Sequence, residues 1–425
     1  MLALLLLLAL SPCIPQYFAT PKLDEVHWIV APVDATLETP HYLLYMEGTA
    51  MEAERRGALV EAAWSGYKAF LKGAPKQRAG QKTILRIFPN REAWRASLDL
   101  EQEIPPGHAL HLHYSPDRRT VYLYEDGTTY LTDKWLLHGT FLDFHRHLKS
   151  KNRDLANEWY VSGMADTFST HSWRNGALEL GTRRVLNHNN RALAATERGV
   201  LLHIEDGEIS KADLCNWEVR WAMTSFMIYG KDGAYLKKFE RLALGSRGSM
   251  LFGHDFLPTV GEPQQITAEI LAWIKDQARV LEVTKDGNWM EDGLGLTGTA
   301  AGARRPGLAS PAEEANFLEA TFGVNHVNEH GLLIDWLDGS HFTIAFLRDD
   351  HLILEQRNKS KTAILRELAI DRDPQGRCKM SLERDGHEVI LRAAGARPLR
   401  LPVKSRKFGL AVGLQESRFE DIYWR

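Results

Sequence analysis

The segment from Thr132 to Phe168 constrains the fold most, because it contains two helical patterns joined by a short charged link. In the first pattern, apolar residues recur at i, i+4, i+7 and i+11: Leu137, Phe141, Phe144 and Leu148. The second has the same kind of stripe: Val161, Met164, Ala165 and Phe168. Residues four apart share a helix face, so His138 stacks on Leu142 and Ser162 on Asp166. The segment therefore predicts two buried helices, each with such a pair beside its stripe.

The residues around these pairs follow a known metallopeptidase frame. Leu136-Leu137-His138-Gly139-Thr140-Phe141-Leu142 matches L-L-H-E-x-x-H in outline, and Trp159 to Phe168 matches W-L-x-E-G-x-A-x-x-F. The segment thus resembles the core of gluzincin metallopeptidases of the peptidase MA-like group. That resemblance implies a catalytic zinc with three protein ligands and a glutamate base.

Matched residue by residue, this site is degenerate. His138 keeps the first ligand, whereas Gly139 replaces the base, Leu142 the second ligand and Ser162 the third. A one-residue deletion after His138 would align Gly139-Thr140 with an H-E-G-T-H variant, but it supplies no glutamate and puts Phe141 at the second ligand position. We therefore predict no catalytic residue, no metal site and no cofactor.

Asp166 stands where the family has a carboxylate that hydrogen-bonds the first zinc histidine, which predicts a His138–Asp166 pair. The alternative is a solvated aspartate. A second alternative is an active zinc peptidase with rearranged ligands, in which His138 and Asp166 are joined by His145 or by a strand histidine: His108, His111 or His113. His145 lies two turns from His138, about 10 Å along the helix, and would be a poor co-ligand.

At 425 residues the chain is too long for one ordinary core. We predict an α+β fold: residues 1–20 a signal-peptide-like segment, 21–131 an α/β subdomain, 132–279 a helical subdomain and 280–425 a β-sandwich. The apolar run Met1–Leu10 is shorter than the roughly 20 residues that span a bilayer, so we expect an extracytoplasmic or secreted protein without a transmembrane span. Cys13 is a possible lipid anchor. Cys215 and Cys378 are either inert thiols or a disulfide pair.

Charge is balanced, with 52 basic and 55 acidic residues, which gives no electrostatic case for nucleic acid.

The first two subdomains resemble their gluzincin counterparts. Periodicity predicts helices over about Ala50–Leu71, Asn216–Tyr229 and Ile266–Gln277, and Asn90 as the cap of another. Strands are predicted at His41–Met46, Thr83–Phe88, His108–Tyr114 and Thr120–Tyr124.

From about Val280 short β-rich runs predict a sandwich, with Gly302–Pro311 as a flexible loop. Its glycine and aromatic positions resemble laminin-G-like or concanavalin-like jelly rolls, including 3-keto-disaccharide hydrolase-like modules. His326-Val327-Asn328-Glu329-His330 matches the inverted zinc motif H-x-x-E-H, but that motif needs a helix and this one lies in a strand and turn context.

Sugar-binding sandwiches use aromatic platforms and paired carboxylates, and the candidates here are Trp336, Asp335, Asp338 and Glu355. Residues 357–407 carry 14 basic and 6 acidic side chains, which indicates solvated strand faces or a polyanion-binding face.

We predict a secreted, catalytically inactive gluzincin-like protein that acts by binding a protein or glycan. The alternatives are the active peptidase, a glycan-binding or glycan-processing sandwich, and a purely structural protein.

Overall fold

The computed structural model describes residues 35–75, 81–101, 111–125, 129–148, 159–174, 177–181, 217–245, 256–277, 281–283, 287–291, 295–300, 307–311, 315–323, 330–338, 340–359, 361–372, 376–405, 407–413 and 417–424. They form two compact units, unit 1 ending at Asp276 and unit 2 beginning at Gln277. The predicted signal segment lies outside the described residues, as do Cys13, His108, Cys215, His326 and Glu329. None of the described helices is both long and apolar enough to cross a membrane.

Unit 1 begins with a five-stranded mixed sheet in the order β1-β2-β3-β5-β4. The strands are β1 (Ala35–Glu38), β2 (Tyr42–Met46), β3 (Thr83–Phe88), β4 (Leu112–Ser115) and β5 (Thr120–Tyr124). β2, β3 and β5 run parallel, so helices α1 (Ala50–Phe70) and α2 (Arg91–Glu101) provide the crossovers that parallel pairing requires. The predicted cap is confirmed, because Asn90 Oδ1 accepts from the Ala93 amide at 2.9 Å.

The two predicted buried helices are confirmed as α3 (Thr129–Leu148) and α4 (Trp159–Ser169). Phe141 of α3 contacts Phe168 of α4 at a ring-centroid distance of 5.4 Å and Tyr67 of α1 at 5.1 Å. The Tyr67 hydroxyl donates to the Leu137 carbonyl at 3.0 Å, so its polar end is satisfied inside the core. These contacts pack α3 against both α1 and α4.

Among the described residues, the rest of unit 1 consists of a short hairpin, four α-helices and a 3-10 helix at Gly230–Gly233. The hairpin pairs β6 (His171–Arg174) with β7 (Ala177–Leu180). The helices are α5 (Trp217–Tyr229), α6 (Leu236–Gly245), α7 (Leu257–Val260) and α8 (Pro263–Gln277). Trp221 of α5 is 4% exposed and belongs to the apolar core of unit 1.

Unit 2 contains two seven-stranded antiparallel sheets. The first sheet has the order β19-β18-β17-β12-β21-β10-β9 and the second sheet β16-β15-β14-β13-β20-β11-β8. The bounds are β8 (Leu281–Val283), β9 (Gly287–Glu291), β10 (Gly295–Ala300), β11 (Gly307–Pro311), β12 (Phe317–Phe322), β13 (His330–Asp338), β14 (His341–Arg348), β15 (His351–Asn358), β16 (Lys361–Ala369), β17 (Cys378–Asp385), β18 (Glu388–Ala393), β19 (Leu399–Pro402), β20 (Gly409–Val412) and β21 (Ser417–Trp424).

Alternate apolar residues of both sheets form one shared core, which includes Leu318 and Ala320 of the first sheet and Leu332 and Ile334 of the second. The predicted β-sandwich is therefore confirmed. The side of the second sheet turned away from this core, its outer face, carries a separate apolar cluster that includes Leu333 and Ile344.

The prediction of a loop over Gly302–Pro311 is wrong for its second half. Gly307–Pro311 is the buried strand β11, which pairs with β20 and β8. A Cβ on Gly307 would lie 2.7 Å from the Gly287 Cα, so two backbones meet where only glycine fits. Glycine, serine and proline indicate a loop by composition, but here the small residues permit close strand packing.

Candidate functional site

His138 and Asp166 meet where α3 crosses α4. His138 Nδ1 lies 3.1 Å from Asp166 Oδ1, an ion-pair distance, and Asp166 is 1% exposed. The other carboxylate oxygen, Oδ2, accepts from Arg220 Nε of α5 at 3.1 Å. The predicted His138–Asp166 pair is thus present, and an arginine from a third helix completes it.

The charges around Asp166 decide its protonation state. Burial alone raises the pKa of this carboxyl, but Arg220 and His138 outweigh burial, and the pKa is lowered below its ordinary value. Lys134, one turn before His138 on α3 and 1% exposed, acts in the same direction. Asp166 is therefore an ionised carboxylate that links side chains of three helices.

The residues at this crossing do not fit the zinc that the resemblance implies. A Cβ on Gly139 would lie 2.4 Å from Val121 Cγ1, so the position of the base is packed against β5. Leu142 is 7% exposed and belongs to the apolar core, and Ser162 is half-buried on α4. Within the ranges given above, no three His, Cys, Asp or Glu side chains are grouped so that they could hold a metal. A catalytic zinc needs three such ligands.

Three of the histidines considered for a rearranged ligand set are packed on aromatic rings, and His108 lies outside the described residues. His111 stacks on Trp135 at 4.6 Å, and His113 on Tyr122 at 5.8 Å. His145 lies 6.2 Å from the ring of Phe141 and is 2% exposed. No described part of the chain therefore assembles the ligand set of the active-peptidase alternative.

Arg220 and a second group of buried ions were not identified from the sequence. Arg55 binds both carboxylate oxygens of Asp133 at 2.7 and 2.8 Å, and Arg56, 2% exposed, binds both oxygens of Glu125. The only sequence signal for Arg220 is a basic residue inside an otherwise apolar helical pattern. The Arg55–Asp133 pair connects α1 to α3, and the Asp166 group connects α3, α4 and α5.

In unit 2 a row of large side chains crosses the outer face of the second sheet. Trp336 of β13 pairs directly with Phe342 of β14, which pairs directly with Arg357 of β15. Opposite residues in antiparallel strands share a face, and Phe342 belongs to the outer-face cluster. Lys407 Nζ lies 5.8 Å from the Trp336 ring centroid. We call these four residues the aromatic row.

A β-bulge determines where Trp336 points. Leu332 and Ile334 face the shared core, so simple alternation would turn Trp336 inward too. The register shifts between Leu333 and Asp335, and the extra residue reverses the alternation, so that Trp336 faces outward beside Phe342.

The structure separates the four predicted sugar-binding residues. Glu355 pairs with Ile344, two residues from Phe342, and therefore shares the outer face with Trp336. Asp335 accepts from the Ser405 amide at 2.7 Å and the Lys404 amide at 3.2 Å, so it holds a loop. Asp338 accepts from the Ser340 amide at 2.7 Å in the β13–β14 turn. The paired-carboxylate part of the prediction is not supported by these contacts.

His330 of the inverted zinc motif starts β13 and is 2% exposed. Its ring stacks on Phe322 at 5.7 Å and meets Phe419 edge-on at 6.2 Å. Burial and the nearby charge of Arg372 lower the pKa of His330 to about 4. The strand context predicted for this histidine is confirmed, and its surroundings are aromatic.

No family model matches this chain, and no curated protein matches it. Among solved structures, it is similar to the carbohydrate binding module CBM66 from Bacillus subtilis, at 14% identity over 33% of this chain and 92% of that chain, with a TM-score of 0.28. It is also similar to the exoplasmic/lumenal domain of VIP36 in its Ca2+/Man-bound form, at 8% identity over 34% of this chain and 81% of that chain, with a TM-score of 0.26. These values are too low to assign a family, and the two matches do not support the metallopeptidase resemblance.

Proposed function

We propose that this chain is a non-catalytic glycan-binding protein, in which the second sheet of unit 2 provides the binding face. The aromatic row is the observation that carries the proposal. Aromatic faces pack against the C–H groups of a sugar ring, while charged side chains beside them hydrogen-bond its hydroxyls and fix its orientation. Trp336 supplies such a face, and Arg357, Lys407 and Glu355 supply polar groups beside it.

The accessibility of these groups agrees with that role. The side chains of Lys407, Arg357 and Glu355 are 56%, 30% and 21% exposed, and Trp336 is half-buried. Strands lie about 4.8 Å apart, so the row from Trp336 to Arg357 spans about 10 Å on a rigid sheet. A sheet-borne site of this kind holds its side chains in place before a ligand arrives.

Unit 1 has a different role in this proposal. Its His138–Asp166–Arg220 cluster stabilises the helix crossing and performs no hydrolysis, because three of the four groups of the zinc motif are replaced and Gly139 has no room for a longer side chain. The signal-peptide-like start of the chain supports a glycan partner outside the cytoplasm.

Binding is tested by affinity electrophoresis of the full chain in gels that contain soluble polysaccharides. We expect Trp336→Ala to weaken retardation at least about tenfold, the loss of about 1.4 kcal/mol of binding free energy. Because Trp336 also packs on the outer-face cluster, Trp336→Leu serves as a second variant that keeps apolar packing. Leu337→Ala, at a neighbouring residue that is 52% exposed, is the matched control. Full retardation of both Trp336 variants would contradict the proposal.

The absence of peptidase chemistry is tested separately on the same protein. Zinc content by mass spectrometry and hydrolysis of a peptide library should both be at background in the wild type and in His138→Ala. Stoichiometric zinc, with turnover that His138→Ala abolishes, would establish the peptidase alternative.

A further inference from the structure

We infer that Asp335 is a positioning residue of the glycan-binding face, which holds Lys407 beside the Trp336 ring without contacting the ligand itself. This role rests on the proposed function and deepens it, because it names the group that orders one side of the site before a ligand arrives. Two observations support it: the direction of the Asp335 side chain, and the backbone groups that its carboxylate binds.

Asp335 and Trp336 are consecutive residues of β13 that face opposite sides of the second sheet. Asp335 pairs directly with Thr343, and Trp336 pairs directly with Phe342 of the outer face. Because neighbouring residues of a strand alternate between its two sides, the Asp335 carboxylate lies on the side away from the Trp336 ring. It is therefore directed away from a sugar that packs on Trp336, and its effect on binding must pass through another group.

The Asp335 carboxylate binds the segment that connects β19 of the first sheet to β20 of the second. Its Oδ1 accepts from the Ser405 amide at 2.7 Å, and both of its oxygens lie 3.2 Å from the Lys404 amide nitrogen. Hydrogen bonds to a carboxylate are stronger than those between neutral groups. One side chain thus fixes two successive peptide groups of this segment, which we call the connecting loop (residues 403–405 and 407–408).

The connecting loop is also held at its two ends. The Val403 amide donates to the carbonyl of His387, between β17 and β18 of the first sheet, at 3.0 Å. Phe408 is 2% exposed and belongs to the core shared by the two sheets. Between these ends, Asp335 ties the middle of the loop to the second sheet.

The position of the connecting loop determines where Lys407 lies. The Lys407 amide donates to Ser405 Oγ at 2.9 Å, so its backbone is bonded directly to the residue that Asp335 holds. Its ammonium nitrogen lies 5.8 Å from the Trp336 ring centroid and 3.1 Å from Glu282 Oε2. An ammonium has three N–H donors, and Glu282 takes one of them. The others are placed to donate to the hydroxyls of a sugar on the Trp336 ring.

Binding is measured by affinity electrophoresis of the full chain in gels that contain dextran, soluble xylan or galactomannan. The polysaccharide that retards the wild type most is then used for all variants. We expect Asp335→Ala to bind about threefold to tenfold more weakly, because Lys407 must then be ordered when the ligand binds. Asp335→Asn keeps an acceptor oxygen for the loop amides and should bind within about twofold of the wild type. Asp338→Ala is the matched control, because it removes a carboxylate that accepts from a turn amide, and it should change nothing.

A double-mutant cycle separates positioning from a purely structural role. If Asp335 acts through Lys407, the single variant Lys407→Ala and the double variant Asp335→Ala/Lys407→Ala should bind equally weakly. Ser405→Ala removes only the side-chain acceptor of the Lys407 amide, and as a milder variant it should weaken binding about twofold to threefold. Unfolding temperatures measured in parallel show that each variant is folded.

The outcomes distinguish this role from the proposed function. Wild-type binding by both Asp335→Ala and Ser405→Ala, with binding lost in Trp336→Ala, would overturn the positioning role and leave glycan binding intact. Additive effects of Asp335→Ala and Lys407→Ala would also overturn it, because Asp335 would then act through some other group. Retardation of the wild type by none of the polysaccharides would overturn the proposed function and the positioning role together.

Discussion

Asp166 of unit 1 and Arg357 of unit 2 are both ionised side chains beside apolar residues, but their surroundings differ. Asp166 is almost fully buried, and each of its oxygens contacts a basic side chain at 3.1 Å. Arg357 is 30% exposed, and its acid partner lies 3.7 Å away. Removing a buried carboxylate that lies between two basic side chains destabilises a fold, whereas a charged side chain that reaches solvent can contact a ligand. We therefore assign structural and binding roles to the two regions respectively.

Removing the carboxylate at the helix crossing should have the largest effect. Asp166→Asn leaves Arg220 and His138 without their buried anion, and we expect a loss of about 3 to 5 kcal/mol in the free energy of unfolding. Urea titration followed by circular dichroism measures it. The matched control is Asp338→Asn, which removes an exposed turn carboxylate and should leave the unfolding midpoint almost unchanged. Equal effects of the two variants would contradict a structural role for Asp166.

The second-largest effect is a loss of folding stability at low pH, caused by His330 in the sandwich core. The pKa of His330 is about 4 in the folded state against 6.5 when unfolded, so the unfolded state binds the proton more readily. Stability from this group is complete above about pH 6.5, falls as the pH drops through that value, and is lost by about pH 4, a total of about 3 kcal/mol. Urea titrations at a series of pH values should show this slope in the wild type. His330→Phe should reduce it, and an unchanged slope in that variant would refute the assignment.

A smaller effect is expected where α3 meets β5. Gly139→Ala gains helix propensity, but its Cβ would lie 2.4 Å from Val121 Cγ1, and overpacking of this kind costs about 1 to 3 kcal/mol. The stiff side chain of Val121 cannot move aside easily. In a double-mutant cycle by urea titration, Val121→Ala should relieve part of the cost of Gly139→Ala. Additive effects of the two substitutions would show that Val121 is not the obstacle.

The helices were predictable because their stripes repeat at local spacing, as for Leu137 and Phe141. Asp166 was predicted as a partner of His138 from the family frame. Arg220 was not, because it lies 54 residues from Asp166 in the chain and only packing joins them. The tight contact of Gly139 with Val121 was hidden for the same reason.

In the sandwich, the β-rich character of the domain was predictable, whereas the directions of its side chains were not. The bulge after Leu333 reverses the alternation of β13, so the sequence alone could not place Trp336 on the outer face. Strand β11 was missed because Gly307 and Pro311 indicate a loop by composition, while its pairing with β20 and β8 is long-range.

The most direct test of the two assigned roles is one pair of binding isotherms, for His138→Gln and Trp336→Leu, against a polysaccharide that retards the wild type. Calorimetry would measure the dissociation constant and the unfolding temperature of each variant in the same buffer. Our account predicts that His138→Gln lowers the unfolding temperature and binds like the wild type, whereas Trp336→Leu binds at least about tenfold more weakly. Wild-type binding by Trp336→Leu, with binding lost in folded His138→Gln, would contradict it.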